Sequence, residues 1–83
     1  MKLTIRYFAA LREALGTSET LEIADGATVA DVRASLVARG GRHAELLAGN
    51  RPVRCALNQA MAPETTPVAD GAEIAFFPPV TGG

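Results

Sequence analysis

Thr28-Val29-Ala30-Asp31-Val32-Arg33-Ala34-Ser35-Leu36-Val37-Ala38-Arg39-Gly40-Gly41 reads as an amphipathic helix with both of its ends specified. Thr28 is a suitable N-cap, and Asp31, three residues on, completes a carboxylate variant of the capping box and complements the positive end of the helix. Val29, Val32, Leu36 and Val37 form one apolar stripe, which Arg39 and the two glycines terminate. One stripe needs one covering surface. The segment 28–39 therefore predicts a helix lying on a sheet.

The flanking sequence supplies strands for that sheet. Upstream, Leu3, Ile5 and Tyr7 alternate with Lys2, Thr4 and Arg6, the period-two pattern of a half-buried strand ending near Phe8. Leu11, Ala14 and Leu15 then fall at helical spacing with Arg12 and Glu13 off that face, and Gly16 stops a short helix over 9–15. Leu21 and Ile23 alternate with Thr20 and Glu22 in a second strand, closed by Asp25-Gly26. Downstream, a loop over 40–52 leads to a third strand in which Val53, Cys55 and Leu57 alternate with polar or small residues. A last strand over 72–77 follows the Asp70-Gly71 turn, while Pro63 and Pro67 reduce 64–68 to a minor edge strand. This order predicts an α+β domain, a mixed sheet around one main helix, with the first and last strands as parallel central neighbours.

Size and composition exclude several classes of function. At 83 residues there is room for one domain and one core, so large clefts are not expected. A net charge of −1 and only four aromatic residues, Tyr7 and three Phe, give neither a basic footprint nor a stacking platform for nucleic acid. No run approaches the roughly 18 apolar residues of a membrane span, and residues 1–6 alternate where a signal peptide would be continuously apolar. A cytoplasmic location is expected. One cysteine and one histidine offer neither an internal disulfide nor a metal cluster, and no bound cofactor is expected on this chain.

The other informative stretch is Phe76-Phe77-Pro78-Pro79-Val80-Thr81-Gly82-Gly83. The prolines end the sheet ladder and favour extended polyproline geometry, and six residues from Pro78 at about 3.1 Å each reach roughly 18 Å. Two glycines can thread a channel too narrow for any side chain. The chain thus divides into a body over 1–77 and a reactive arm over 78–83, with the Gly83 carboxylate as the candidate reacting group and Gly82 suited to channel passage.

The motifs Ile5-Arg6-Tyr7-Phe8-Ala9-Ala10-Leu11-Arg12-Glu13, Ala56-Leu57-Asn58-Gln59 and Asp70 through Gly83 resemble the small subunits of molybdopterin synthase, sulfur carriers of the ubiquitin-like β-grasp superfamily. The resemblance implies a β-grasp topology and a sulfur-carrier role. An E1-like adenylating enzyme would use ATP to activate Gly83, a persulfide donor would convert it to a thiocarboxylate, and the arm would enter the active site of the large subunit. There a pyranopterin precursor would take the sulfur. A heterotetramer of two small and two large subunits is implied. The same chemistry could instead serve thiamine or tRNA thiolation or protein modification, and a plain binding module is the remaining reading.

Individual residues carry narrower expectations. By strand parity Ile74 and Phe76 face the helix and Phe77 faces outward, making Phe77 a candidate partner anchor together with Pro78, Pro79, Val80 and Thr81. Met61, placed in a turn after the third strand, either extends that patch or fills a core gap. Arg12 is either a solvated side chain or, as the resemblance implies, a partner contact. Cys55 shares the inward parity and is expected to be a small buried hydrophobe, and His43 a solvated loop residue.

Overall fold

The computed structural model describes residues 1–78. In chain order it contains β1 (Lys2–Tyr7), α1 (Ala10–Leu15), β2 (Ser18–Glu22), α2 (Val29–Val37), α3 (Gly41–Leu47), β3 (Arg54–Leu57), β4 (Ala60–Met61) and β5 (Glu73–Phe77). The five strands form one mixed sheet in the order β2-β1-β5-β3-β4. β1 and β5 are central and parallel, with Ile5 opposite Ile74 and Tyr7 opposite Phe76. All other pairings are antiparallel. This is the β-grasp arrangement, and its parallel central pair carries the end of β5 to the same edge of the sheet as the end of β1.

The core forms where the two periodicities meet. Leu3, Ile5 and Tyr7 from β1, Leu21 from β2, Cys55 from β3, and Ile74 and Phe76 from β5 point to one face. Val29, Val32 and Leu36 of α2 cover it, with Leu11 of α1 and Leu47 of α3 closing the sides. Each fully buried Leu, Ile or Phe contributes about 1.5–3 kcal/mol.

The start of α2 is fully satisfied. Asp31 N–H donates to Thr28 Oγ1 at 3.3 Å while Thr28 N–H donates to the Asp31 carboxylate at 2.8 Å, the reciprocal capping box. The two remaining free donors find the segment that sequence read as an edge strand. Val29 N–H donates to Thr66 O and Ala30 N–H to Glu64 O, at 2.9 and 2.8 Å. Residues 64–68 therefore close the helix terminus, and only an isolated bridge between Thr28 and Pro67 is strand-like.

Two elements depart from the sequence-based expectation. Residues 41–47, expected as loop, form α3, and Gly40 at φ 75° both ends the α2 turn and begins the next helix. Met61 lies not in a turn but in β4. Asn58 and Gln59, at φ 48° and 70°, make the tight connection that returns β4 along β3, and the Asn58 side chain accepts from Glu73 N–H at 2.9 Å.

Ala9 joins β1 to α1 at φ 54°, ψ −132°, with Leu11 N–H donating back to Phe8 O at 3.2 Å. That first central position of a type II′ turn favours glycine, because a Cβ there is strained by about 1–3 kcal/mol. Ala9→Gly removes the strain at an entropic cost of roughly 0.5–1 kcal/mol. The expected outcome is a rise in melting temperature of about 2–6 °C in calorimetry.

Candidate functional site: the sheet face at the base of the C-terminal arm

Where β5 ends, the outward residues of three strands and the β1–α1 turn make a shallow apolar concavity lined by Phe8, Ala56, Met61, Ala75, Phe77 and Pro78, with Arg6, Gln59 and Glu73 around it. Strand parity places each of them. Arg6 and Ala75 are register partners, as are Ala56 and Ala75, Ala56 and Met61, and Arg54 and Phe77. Side chains opposite one another in a sheet share a face, so Phe77 does point away from α2, half-buried against its neighbours. Met61 is 60% exposed and Phe8 39% exposed, the two most exposed large hydrophobics among the described residues. The core-filling alternative for Met61 is thereby excluded.

Phe8 and Arg6 were missed in the sequence. Their signal was present in the alternation of β1, since both share the outward parity of Thr4. The Arg6 guanidinium lies 5.3 Å from the centre of the Phe8 ring and 3.8 Å from the Glu73 carboxylate, which holds it against the rim. Arg12 is exposed on α1 and lines neither this concavity nor its neighbour. That neighbour is a smaller apolar depression of Leu11, Leu46, Pro52 and Val53, with Arg51 at its side and Pro78 shared between the two. Pro79, Val80, Thr81, Gly82 and Gly83, the rest of the expected arm, lie outside the described residues.

Cys55 is buried beneath the sheet, and desolvation pushes its thiol up to about 11. A thiol so placed is neither ionised nor accessible at neutral pH, which fits the reading of Cys55 as a small core hydrophobe.

His43 departs from the solvated reading. It sits on α3, half-buried, with Nε2 3.0 Å from Glu19 of β2. Glu19 also accepts from the Tyr7 hydroxyl at 2.7 Å and pairs with Arg39, so one carboxylate ties β1, β2, the end of α2 and α3 together. Burial alone would raise the Glu19 carboxyl, but the hydrogen bonds from Tyr7, Arg39 and His43 bring it down from 4.5 to about 2. Burial first, and then the bond to Glu19, pushes the Tyr7 phenol well above its usual range.

A carboxyl whose folded value lies below its unfolded value stabilises the fold above the unfolded value, and loses that contribution as pH falls. Glu19→Gln should therefore cost about 2 kcal/mol at pH 7. The difference from wild type should shrink between pH 4.5 and 2, the window set by the two values. Urea denaturation at both ends of that window checks it.

Comparison with known proteins agrees with this architecture. Residues 5–83 match the model of the ThiS family. The molybdopterin synthase sulfur carrier subunit of Escherichia coli (strain K12) is 40% identical over 79 residues, 95% of this chain and 96% of that protein. SAMP1 from Haloferax volcanii, a small archaeal modifier protein, superposes with a TM-score of 0.81 at 27% identity over the whole of both chains. The complex of subunits 1 and 2 of the molybdopterin-converting factor from Helicobacter pylori 26695 contains a chain with a TM-score of 0.69 at 25% identity, again covering both chains fully. With the fold, the full-length identity and a family match that extends through Gly83, the chain belongs to the ThiS family, and within it is similar to the molybdopterin synthase sulfur carrier subunits.

Proposed function

We propose that this protein is the sulfur carrier of a molybdopterin synthase, with Gly83 as the carrying residue. The observation that supports this most is the family match running to Gly83, six residues along the sequence from the strand β5 that borders the apolar face. In the proposed sequence the Gly83 carboxylate attacks the α-phosphorus of ATP on an E1-like enzyme and releases pyrophosphate. A persulfide sulfur then displaces AMP from the acyl carbon, and a thiol cleaves the acyl persulfide to leave a thiocarboxylate on Gly83 and a disulfide on the donor side. Adenylation is needed because oxide is a poor leaving group and a phosphate a good one.

The described residues contain no nucleophile-base pair suited to this chemistry. The acid-base work is accordingly assigned to the partners, namely the adenylating enzyme and, for delivery to the pyranopterin, the large synthase subunit. Phe77, Pro78 and Met61 supply the docking face beside the arm, with Arg12 a further contact from α1. Pro79, Val80 and Thr81 contact the walls of the partner's channel and Gly82 passes its narrowest point. The proposed assembly is a cytoplasmic heterotetramer of two small and two large subunits.

Likeness to SAMP1 favours one second reading, protein modification through the same terminus. Intact-mass spectrometry of the protein purified from its own cells separates the two. Replacement of one oxygen by sulfur at Gly83 supports the carrier, whereas isopeptide adducts on lysines support the modifier. A terminus bearing neither in cells making molybdenum cofactor overturns both.

Phe77→Ala tests the docking face. Truncating a central aromatic anchor should weaken binding of the large subunit by at least about 2 kcal/mol, roughly thirtyfold in Kd. A half-buried side chain costs the fold less, about 1 kcal/mol. Titration calorimetry and thermal denaturation read the two effects separately.

A further inference from the structure

The net charge of −1 conceals an uneven distribution. At the arm end of the sheet, Arg54 stands directly opposite Phe77 on the outward face, Arg6 stands opposite Ala75, and Arg51 shares the second depression with Pro78. Glu73 answers Arg6 at 3.8 Å. Among the described residues no carboxylate lies within ion-pair distance of Arg51 or Arg54. Arg6, with Glu73 beside it, therefore borders the apolar patch of Phe8, Met61 and Phe77, Arg54 stands next to Phe77, and Arg51 lies in the adjoining depression that shares Pro78. At the opposite end of the same sheet Lys2 stands opposite Glu22 in register, and the Lys2 backbone N–H donates to the Asp70 carboxylate. Of the arginines on the sheet, the one without a carboxylate partner among the described residues, Arg54, lies at the docking end.

We infer that this face selects a protein partner whose apolar contact surface is bordered by carboxylates, and that Arg6, Arg51 and Arg54 set the speed and specificity of that encounter. The inference rests on the proposal that the face docks the large synthase subunit, and it states the chemistry that subunit must present. Charge at a rim mainly accelerates encounter and rejects like-charged partners, while the apolar centre holds the complex once formed. Arg51 is also built into position, because its carbonyl accepts from the buried Arg33 guanidinium at 2.9 Å. Arg6 is held by Phe8 and Glu73 and loses little freedom on binding.

The test is stopped-flow association with the fluorescently labelled large subunit from the same genome, between 20 and 300 mM salt. The wild-type association rate constant should fall about tenfold across that range, because the Debye length shortens several-fold. In R51Q/R54Q the low-salt rate constant should drop about fivefold to tenfold and its salt dependence flatten, with the dissociation rate constant changed less than about twofold. R54E should be slower still. Both variants should keep the wild-type melting temperature, since the substituted side chains are exposed.

A tight complex that forms at the same rate in all variants and at all salt concentrations overturns the arginine rim and leaves the proposed function standing. Failure of wild-type protein to form any complex overturns both. Salt-sensitive self-association of the free chain in sedimentation would make a second copy the occupant, and also overturns this inference.

Discussion

Deleting Gly83, or adding several uncleaved residues after it, will abolish sulfur transfer while leaving the thermal transition of the domain where it was. Each added residue moves the carboxylate by about 3.3 Å. A misplacement of only 1 Å at a reacting centre is enough to cost roughly a hundredfold in rate. An extended chain also presents a peptide bond at Gly83 where adenylation requires a carboxylate. The fold should not register the change, because among the described residues the buried core ends with Phe76. The measurement is single-turnover formation of dithiolene product, with the adenylating enzyme, a persulfide donor and the large subunit supplied, beside calorimetry of each variant. Full transfer by the extended chain would overturn the proposed chemistry.

Arg33→Ala will have the largest effect on stability. Arg33 is 4% exposed on α2, and its guanidinium donates to Leu47 O and Ala48 O at 2.6 Å and to Arg51 O at 2.9 Å, with Glu64 3.3 Å away. Alanine would leave three carbonyls without this donor and open a void between α2 and the 47–51 turn. Breaking a buried charged network costs about 3–5 kcal/mol. A domain of this size loses about 4–8 °C per kcal/mol, so a fall of 15–30 °C in Tm is expected. Arg33→Lys should recover little, since one ammonium cannot address three carbonyls in the plane of a guanidinium fork. Faster amide exchange in 47–53 ahead of the β1–β5 pair would show that the damage starts at the turn beside Pro78. A loss below about 1 kcal/mol would contradict the structural role given to Arg33.

The consequences of sequence and of tertiary structure separate along a physical line. Alternation in β1 and β5, the capping box of Thr28 and Asp31 and the stripe Val29, Val32, Leu36 are local patterns, each readable because one face must be buried and the other wetted. They determined the α+β class, the outward parity of Phe77 and the burial of Cys55. The central parallel pairing, also expected from the family resemblance, is present in the sheet. The carrier proposal follows from the ending Phe76 to Gly83 and its family resemblance.

Other features depend on partners distant along the chain. α3 lacks a side-chain cap and begins from a glycine at positive φ, so only Leu46 and Leu47 packing onto the core reveal it. β4 is two residues long, and its turn has Asn-Gln where Asn-Gly would have been the usual signal. Arg33 is a charged residue on an amphipathic helix, and it is three carbonyls 14–18 residues away in the chain that enclose it. His43 became part of a four-element network through Glu19, 24 residues earlier. The arginine rim likewise follows from strand order, because parallel β1 and β5 with antiparallel β3 bring Arg6, Arg54 and Phe77 to one edge. The sequence by itself determined which faces are apolar, since that depends on periodicity, and it supplied the expectation of an arm beginning at Pro78 from the backbone chemistry of proline and glycine. Only the tertiary structure decided which charges are buried and which gather at the end of β5, because the energy of a charge is set by neighbours that the fold brings to it.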